Sequence, residues 1–205
     1  MSFNMFALDF CRKMVAELHH MQQFPQLIEA PNSMNNYGAV LDEFGMLGWF
    51  EAFIHDYLGP VAALLYPEWG GAELDSHHAF LIKYKIGKGL GREFSLPTNP
   101  GEDESLDFHL DESQVTLNAC LGNEFTGGEV YFKGIRDHPS SERLSSTRES
   151  FVFQHQPGHG VMHVGQHWHG AHKIKSGERY NLILWARSSS SFQSPAERFV
   201  AAFSS

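Results

Sequence analysis

The sequence predicts an α+β chain in which two helices precede an antiparallel sandwich or barrel and lie on one side of it. Three observations carry this. Apolar residues recur at helical spacing in the first quarter of the chain, at Phe6, Phe10, Met14, Leu18 and Met21 and again beyond Leu47. From His77 onward the apolar residues alternate with polar ones in short runs. Turn formers such as Gly127-Gly128 separate those runs. A period near 3.6 marks helices and a period of 2 marks strands; helices first and many short strands after suit a sandwich or barrel.

Taken in order, the first apolar stripe predicts a helix over residues 3–23. "APNSMNNYGAVLDEF" reads as a turn leading into a short strand around Gly38–Phe44. A second helix is expected from about Leu47 to Tyr66, broken or kinked near Gly59-Pro60, because proline has no N–H to donate and crowds the preceding turn. In "HHAFLIKYKIG" the alternation places Phe80, Ile82 and Tyr84 on one face. Further strands are expected at 115–121 and 129–133, at "SFVFQHQ" and "GVMHVG", and in the strong final run "ERYNLILWARS". "DHPSSERLSSTRES" is a polar loop, and the serine-rich end reads as a loosely held tail. At 205 residues this is one domain: helical support over 1–75, a β core over 76–188 and the tail over 189–205.

Composition narrows the function. A formal charge of −9 without a dense lysine or arginine stripe argues against a nucleic-acid surface. Only Cys11 and Cys120 are present, in very different surroundings, which argues against a disulfide framework and for a reducing compartment. No apolar run approaches the roughly 20 residues of a membrane helix. The start lacks the basic and apolar regions of a signal peptide, so an intracellular, cytoplasmic location is expected. Oligomeric state is left open.

The chemistry concentrates in two segments. "SLDFHLDESQVTLNACL" puts His109 and Asp111 two apart at the head of a β-patterned run. Side chains two apart on a strand share a face, so an imidazole and a carboxylate converge there. That suits a metal ion and, alone, a surface pair equally well. "HVGQHWHGAHKIKSGERYNLILW" holds His163, His167, His169 and His172, then Arg179 on a strand face shared with Asn181, Ile183 and Trp185. A guanidinium on an inward face is costly unless an anion meets it. His169 alone suits a hydrogen-bonded sheet histidine, and Arg179 alone an edge ion pair. In this order, with β pattern on both sides, the pieces suit two histidines and one carboxylate on one face of an octahedral metal. That leaves three open positions, the arrangement of non-haem Fe(II) oxygenases. Two of these accept a chelating 2-oxo acid and the third accepts dioxygen. Arg179 is then the cation for the far carboxylate.

At these residues the sequence resembles the Fe(II)/2-oxoglutarate-dependent dioxygenases, in particular their prolyl and lysyl hydroxylase-like group. The resembling segments are "PNSMNNYGAVLDEFG", "LDSHHAFLIKYKIG", "FHLDESQVTLNACLGNEFTGGEVYF" and "HWHGAHKIKSGERYNLILWARS", together covering roughly residues 31–188. The resemblance implies a double-stranded β-helix (jelly-roll) core with N-terminal supporting helices. It implies His109, Asp111 and His169 as iron ligands, Arg179 on the tail of 2-oxoglutarate, Tyr84 as a hydroxyl reaching that co-substrate, and Trp185 as a pocket wall. O2 is the second co-substrate and ascorbate the expected reductant. The substrate so implied is a prolyl or lysyl side chain of a peptide or protein, with free amino acids and other small molecules as alternatives on the same scaffold. Where some relatives carry a tyrosine late in the strand after the His-X-Asp, this chain has Cys120; Thr116 and Asn118 share its face and are lining candidates.

Of the other histidines, His167 is expected one step outside the ligand position, His163 in a structural position, His172 in solvent, and His77 and His78 in structural roles. Two other readings compete: a metal-binding β-barrel without turnover, which has no need of Arg179, and a zinc hydrolase, which needs a general base near the ligands. Glu112, next to Asp111, is expected on the opposite face, and this disfavours the hydrolase.

The stretch from Gly87 to Asp107, punctuated by glycine and proline and feeding into His109, is expected to be a substrate-facing lid. Its acidic run Glu102-Asp103-Glu104 is read either as an attraction for a basic peptide or as a solvated tip. Replacing residues 95–104 by a short Gly-Ser linker tests the lid. Substrate hydroxylation is expected to fall while uncoupled 2-oxoglutarate turnover survives, and untouched hydroxylation makes the stretch a mere insertion.

Overall fold

A computed structural model describes residues 1–24, 30–86, 103–136 and 150–189. Most of the expected lid, the 137–149 part of the polar loop, and the tail beyond Ser189 lie outside the described residues. The chain opens with a short strand β1 (Ser2–Asn4), then helix α1 (Leu8–Met21), strand β2 (Gly38–Val40), and helices α2 (Leu47–Phe53) and α3 (Gly59–Leu65). Nine strands follow: β3 (Ser76–Lys85), β4 (Leu106–His109), β5 (Val115–Gly122), β6 (Phe125–Gly127), β7 (Val130–Ile135), β8 (Ser150–Phe153), β9 (His159–Val164), β10 (His167–Ala171) and β11 (Ile174–Arg187).

The described strands form two antiparallel sheets. The larger runs β1-β9-β5-β11-β3-β2, with β6 also paired to β11; the smaller runs β4-β10-β7-β8. One face of β3, β5 and β11 presents Leu81, Leu117, Ala119, Leu182 and Leu184, which pack with Leu18 of α1 and Phe50 of α2. The other face presents Phe80, Ile82, Tyr84, Ile183 and Trp185, which form a separate apolar cluster with Ala171 and Ile174. The odd–even parity expected of these strands holds in β11 from Arg179 to Ala186, whereas Ile174, before an irregularity in the pairing with β6, joins the odd-numbered set.

Two elements differ from expectation. The first helix begins at Leu8 rather than at residue 3, because Ser2–Asn4 pair with β9 and the N–H groups of Met5 and Phe6 both donate to the Gly158 carbonyl. Phe6 still packs on Phe10 and Phe53, at ring separations of 4.7 and 5.8 Å, so an apolar residue in helical spacing serves the core without being helical. The second helix is broken as expected near Gly59-Pro60. Between α2 and α3, residues Ile54–Leu58 make a wide turn in which the Gly59 N–H donates to Ile54, five residues back. Widening the turn is how a helix absorbs the missing proline donor. His77 and His78 flank Asp42 at 3.1 and 3.7 Å, the structural role expected of them. Cys11 and Cys120 are buried and unbridged. Among the described residues no helix is long and apolar enough to cross a membrane.

Leu117 is fully buried between the larger sheet and the helices. Leu117→Ala is expected to destabilise the fold by about 2–5 kcal/mol in denaturant unfolding, from lost transfer energy and the cavity left behind.

Candidate metal centre

Between the two sheets lies a cavity whose lining includes His109 and His169 from the smaller sheet and Tyr84, Asn118, Arg179 and Trp185 from the larger. At one end His109, Asp111 and His169 each offer a ligand atom, and these atoms lie within 4.8 Å of one another. Asp111 Oδ1 is 3.5 Å from His109 Nε2 and 3.6 Å from His169 Nε2.

Strand parity is not what joins the pair. β4 ends at His109, and Asp111 lies beyond it, tied by its N–H to the Gly165 carbonyl. Gly165 also lies so close to Ser113 that a Cβ there would collide with the Ser113 carbonyl oxygen. His169 arrives from β10, directly opposite His109.

Each ligand is held by a neighbour. His109 Nδ1 is 2.7 Å from the Asp107 carbonyl and His169 Nδ1 is 2.8 Å from the His167 carbonyl. A carbonyl only accepts, so both Nδ1 atoms carry the proton and both Nε2 lone pairs face the shared point. Thr116 donates to Asp111 Oδ2 at 2.6 Å, with Ser113 2.7 Å from the Thr116 hydroxyl. This leaves Oδ1 for a cation. Burial opposes ionisation of Asp111, but the surrounding imidazoles of His169, His109 and His163 hold its carboxyl well below the usual range. Burial lowers His169; at His109 burial acts the same way but the Asp111 carboxylate outweighs it, and the net shift is upward.

Arg179 stands on the same inner face and is 1% exposed. Its Nη1 donates to the Gly128 carbonyl, and its guanidinium lies 4.7 Å from the Tyr84 ring centre and 5.7 Å from that of Phe125. Gly128 has φ of 71°, and a Cβ on it would press within 2.8 Å of Nη1. Among the described residues no carboxylate pairs with Arg179, and its Nε has no partner. Burial accordingly lowers its pKa. Trp185 stands edge-on to Phe80 at 5.1 Å and is among the residues that line the cavity. Thr116 and Asn118 both line the cavity, whereas Cys120 on the same strand face does not.

The remaining histidines separate as follows. His163 is buried edge-on against His169, with its Nδ1 2.9 Å from the Val164 carbonyl and its Nε2 3.7 Å from Asp111 Oδ2; burial and then the neighbouring His169 push it down to about 3. β10 carries an irregularity between His167 and His169, and the His167 ring turns onto Phe132 and Phe151, outside the ligand set. His172 is exposed, and so is Glu112, whose carboxylate lies 3.9 Å from Arg187. The described part of the acidic run is tied to the fold rather than free. Asp103 accepts N–H groups of Asn36 and Tyr37, and Glu104 pairs with Lys173 at 2.5 Å.

Sequence reasoning missed the wall built by Asn32, Met34 and Asn35. Asn32 Oδ1 accepts the N–H groups of Met34 and Asn35, a turn that the run "PNSMNN" signals by composition. That it folds over the cavity is decided by Asp103, distant in sequence.

Residues 1–71 match the OGFOD2-like domain family, which extends the likeness to the N-terminal helices. The chain is 41% identical over 92% of its length to the Arabidopsis thaliana 2-oxoglutarate and iron-dependent oxygenase domain-containing protein ICU11, covering 45% of that protein. It is 42% identical over 91% of its length to the Danio rerio 2-oxoglutarate and iron-dependent oxygenase domain-containing protein 2, and 38% over 90% to the Homo sapiens one, covering 49% and 47% of them. The chain thus spans about half the length of these relatives. Among solved structures, a Pseudomonas putida prolyl-4-hydroxylase shares the fold with a TM-score of 0.54 at 14% identity, over 91% of both chains. The non-haem α-ketoglutarate-dependent epimerase SnoN shares it with a TM-score of 0.55 at 10% identity, over 90% of this chain and 76% of that one. The core is the expected jelly-roll.

Thr116→Val removes the donor to Asp111 Oδ2 at nearly constant volume. Supporting contacts of this kind are worth about 10- to 100-fold in metal affinity. A loss in that range is expected on Mn(II) titration, with the far-UV circular dichroism unchanged.

On sequence and fold together, with its buried His-Asp-His cluster in place, the chain belongs to the family of the 2-oxoglutarate and iron-dependent oxygenase domain-containing proteins.

Proposed function

We propose that this chain is an Fe(II)- and 2-oxoglutarate-dependent dioxygenase that hydroxylates a C–H bond. The observation that carries this is the pairing, in one cavity, of a converging His109–Asp111–His169 cluster with the buried Arg179, whose Nε has no hydrogen-bond partner among the described residues. The donor set fits Fe(II): two neutral imidazoles and one carboxylate, each oriented by a second hydrogen bond. A scaffold or a hydrolase has no use for a second, cationic pole. The chemistry iron supplies there is activation of O2 with 2-oxoglutarate, one oxygen atom entering succinate as carbon dioxide leaves and the other entering the substrate C–H bond.

The protein's own groups bind and orient. Arg179 receives the far carboxylate of 2-oxoglutarate, and its charge-assisted hydrogen bonds fix the co-substrate lengthwise. Tyr84 and Asn118 offer a hydroxyl and an amide alongside, while Phe80, Ile183 and Trp185 keep water from the reacting end. The substrate we propose is a prolyl or lysyl side chain of a peptide or protein, a reading supported by the motif around His109 and by the likeness of the fold to a prolyl-4-hydroxylase. Ascorbate is the proposed reductant that keeps the metal ferrous.

The test is succinate formation from 2-oxoglutarate with Fe(II) and ascorbate, with mass spectrometry of peptide arrays and small-molecule extracts for an added oxygen. Arg179→Ala is expected to weaken 2-oxoglutarate about 30- to 150-fold, the equivalent of about 2–3 kcal/mol, with metal affinity intact. Single alanine variants of His109, Asp111 and His169 are expected to lose the metal, and those of His163, His167 and His172 to keep it. No succinate from the wild type, or an unchanged 2-oxoglutarate requirement in Arg179→Ala, overturns the reading.

A further inference from the structure

Behind the cavity wall a buried polar chain backs Asn118, and two of its members, Asn181 and His155, have no part in the proposed reaction. Asn118, on β5, lines the cavity, and its Oδ1 accepts a hydrogen bond of 2.6 Å from Asn181 Nδ2 on β11. The same Asn181 Nδ2 lies 3.0 Å from His155 Nε2. Asn118 and His155 are each 7% exposed and Asn181 is fully buried. An amide nitrogen has two N–H groups, so Asn181 donates one to Asn118 and the other to His155. His155 accepts only with a bare Nε2, which places its proton on Nδ1 and keeps the ring neutral. Burial, and then the nearby Arg179 charge, hold it well below the usual histidine pKa, in accord with this.

The chain has a direction. His155 fixes the Asn181 amide, which occupies the Asn118 carbonyl, so what Asn118 has left for the cavity is its N–H. Three buried atoms of this group, His155 Nδ1, Asn181 Oδ1 and Arg179 Nε, have no partner. Packing alone is served better there by apolar side chains, since polar atoms left unpaired cost stability. We infer that His155 and Asn181 are positioning residues that lock Asn118 with its N–H toward the cavity, giving bound 2-oxoglutarate a neutral donor beside the Arg179 guanidinium. This rests on the reading of the cavity proposed above.

The test measures 2-oxoglutarate binding to the full chain loaded with Mn(II), by titration calorimetry without turnover. His155→Leu removes the acceptor and frees Asn181 to turn; the expected result is about fivefold weaker 2-oxoglutarate, the worth of one neutral hydrogen bond, with Mn(II) affinity unchanged. His155→Gln, whose side-chain carbonyl accepts, is expected to restore binding. In the Fe(II) enzyme the leucine variant is expected to raise KM for 2-oxoglutarate while kcat stays near wild type. Wild-type 2-oxoglutarate affinity in His155→Leu, or a glutamine variant as weak as the leucine one, overturns the inference. Where the leucine variant fails to fold, Asn181→Asp serves. Its carboxylate only accepts, so Asn118 must reverse and turn its carbonyl to the cavity, and binding is expected to weaken tenfold or more. Unchanged binding there overturns the inference equally. A wild type that binds no 2-oxoglutarate overturns the dioxygenase reading and this inference with it, whereas wild-type binding that no variant alters overturns this inference alone.

Discussion

The larger sheet is buried on both faces, and that constraint organises the molecule. From Tyr180 to Ala186 every residue of β11 is buried, with the even positions packed under the helices and the odd positions turned to the cavity. Both faces are filled, so the register of β11 against β3 and β5 has one solution. A slip of one residue would carry Arg179 and Asn181 into the helix layer and Leu182 into the cavity. The β3 and β5 partners are held in the same way: Arg179 lies opposite Tyr84, and Ile183 opposite Asn118. Among the described residues, those of α1, α2 and α3 do not line the cavity. Their part is to make the outer face of the sheet costly to misplace.

Against this apolar background the polar groups of the cavity stand out energetically. A buried ion costs several kcal/mol even after the protein relaxes around it. Asp111 offsets part of that cost through the hydrogen bond it accepts from Thr116. Arg179 recovers less, from one carbonyl and the faces of two aromatic rings. Cation–π contacts in desolvated surroundings are worth about 2 kcal/mol, short of a matched carboxylate. The cavity therefore has a negative pole and a positive pole, the negative one crowded with ligands and the positive one under-neutralised. A dianionic chelator whose one end binds a metal and whose other end needs a cation complements both.

The connections near the site show how distant segments complete it. Asp103 ties the turn at Asn36 and Tyr37, and that turn carries Asn32 and Asn35 to the cavity. Gly165, whose carbonyl receives the Asp111 N–H, lies against Ser113 where a Cβ would collide. Gly128 leaves room for the guanidinium because it lacks a Cβ. In each case a residue without evident chemistry sets the place of one that has it.

The periodicity of β3, β5 and β11 determined by itself which side chains share the cavity face, because a strand has only two faces and each was patterned. Phe80, Ile82 and Tyr84, and likewise Arg179, Ile183 and Trp185, were legible in that way, and so was the break at Gly59-Pro60, which follows from a missing N–H. The order of His109, Asp111, His169 and Arg179 was legible as chemistry, since few roles join two imidazoles, one carboxylate and a buried guanidinium. The rest depends on contacts between residues far apart in the chain, which local pattern does not encode. Only the tertiary structure decided that Asp111 reaches the cluster from beyond the end of β4 through Gly165, and that His167 is turned aside by an irregular strand. It alone decided that residues 2–4 leave the helical pattern to pair with β9. The same holds for His155 and Asn181, where hydrogen bonds between strands, not spacing along one of them, select which way an amide faces.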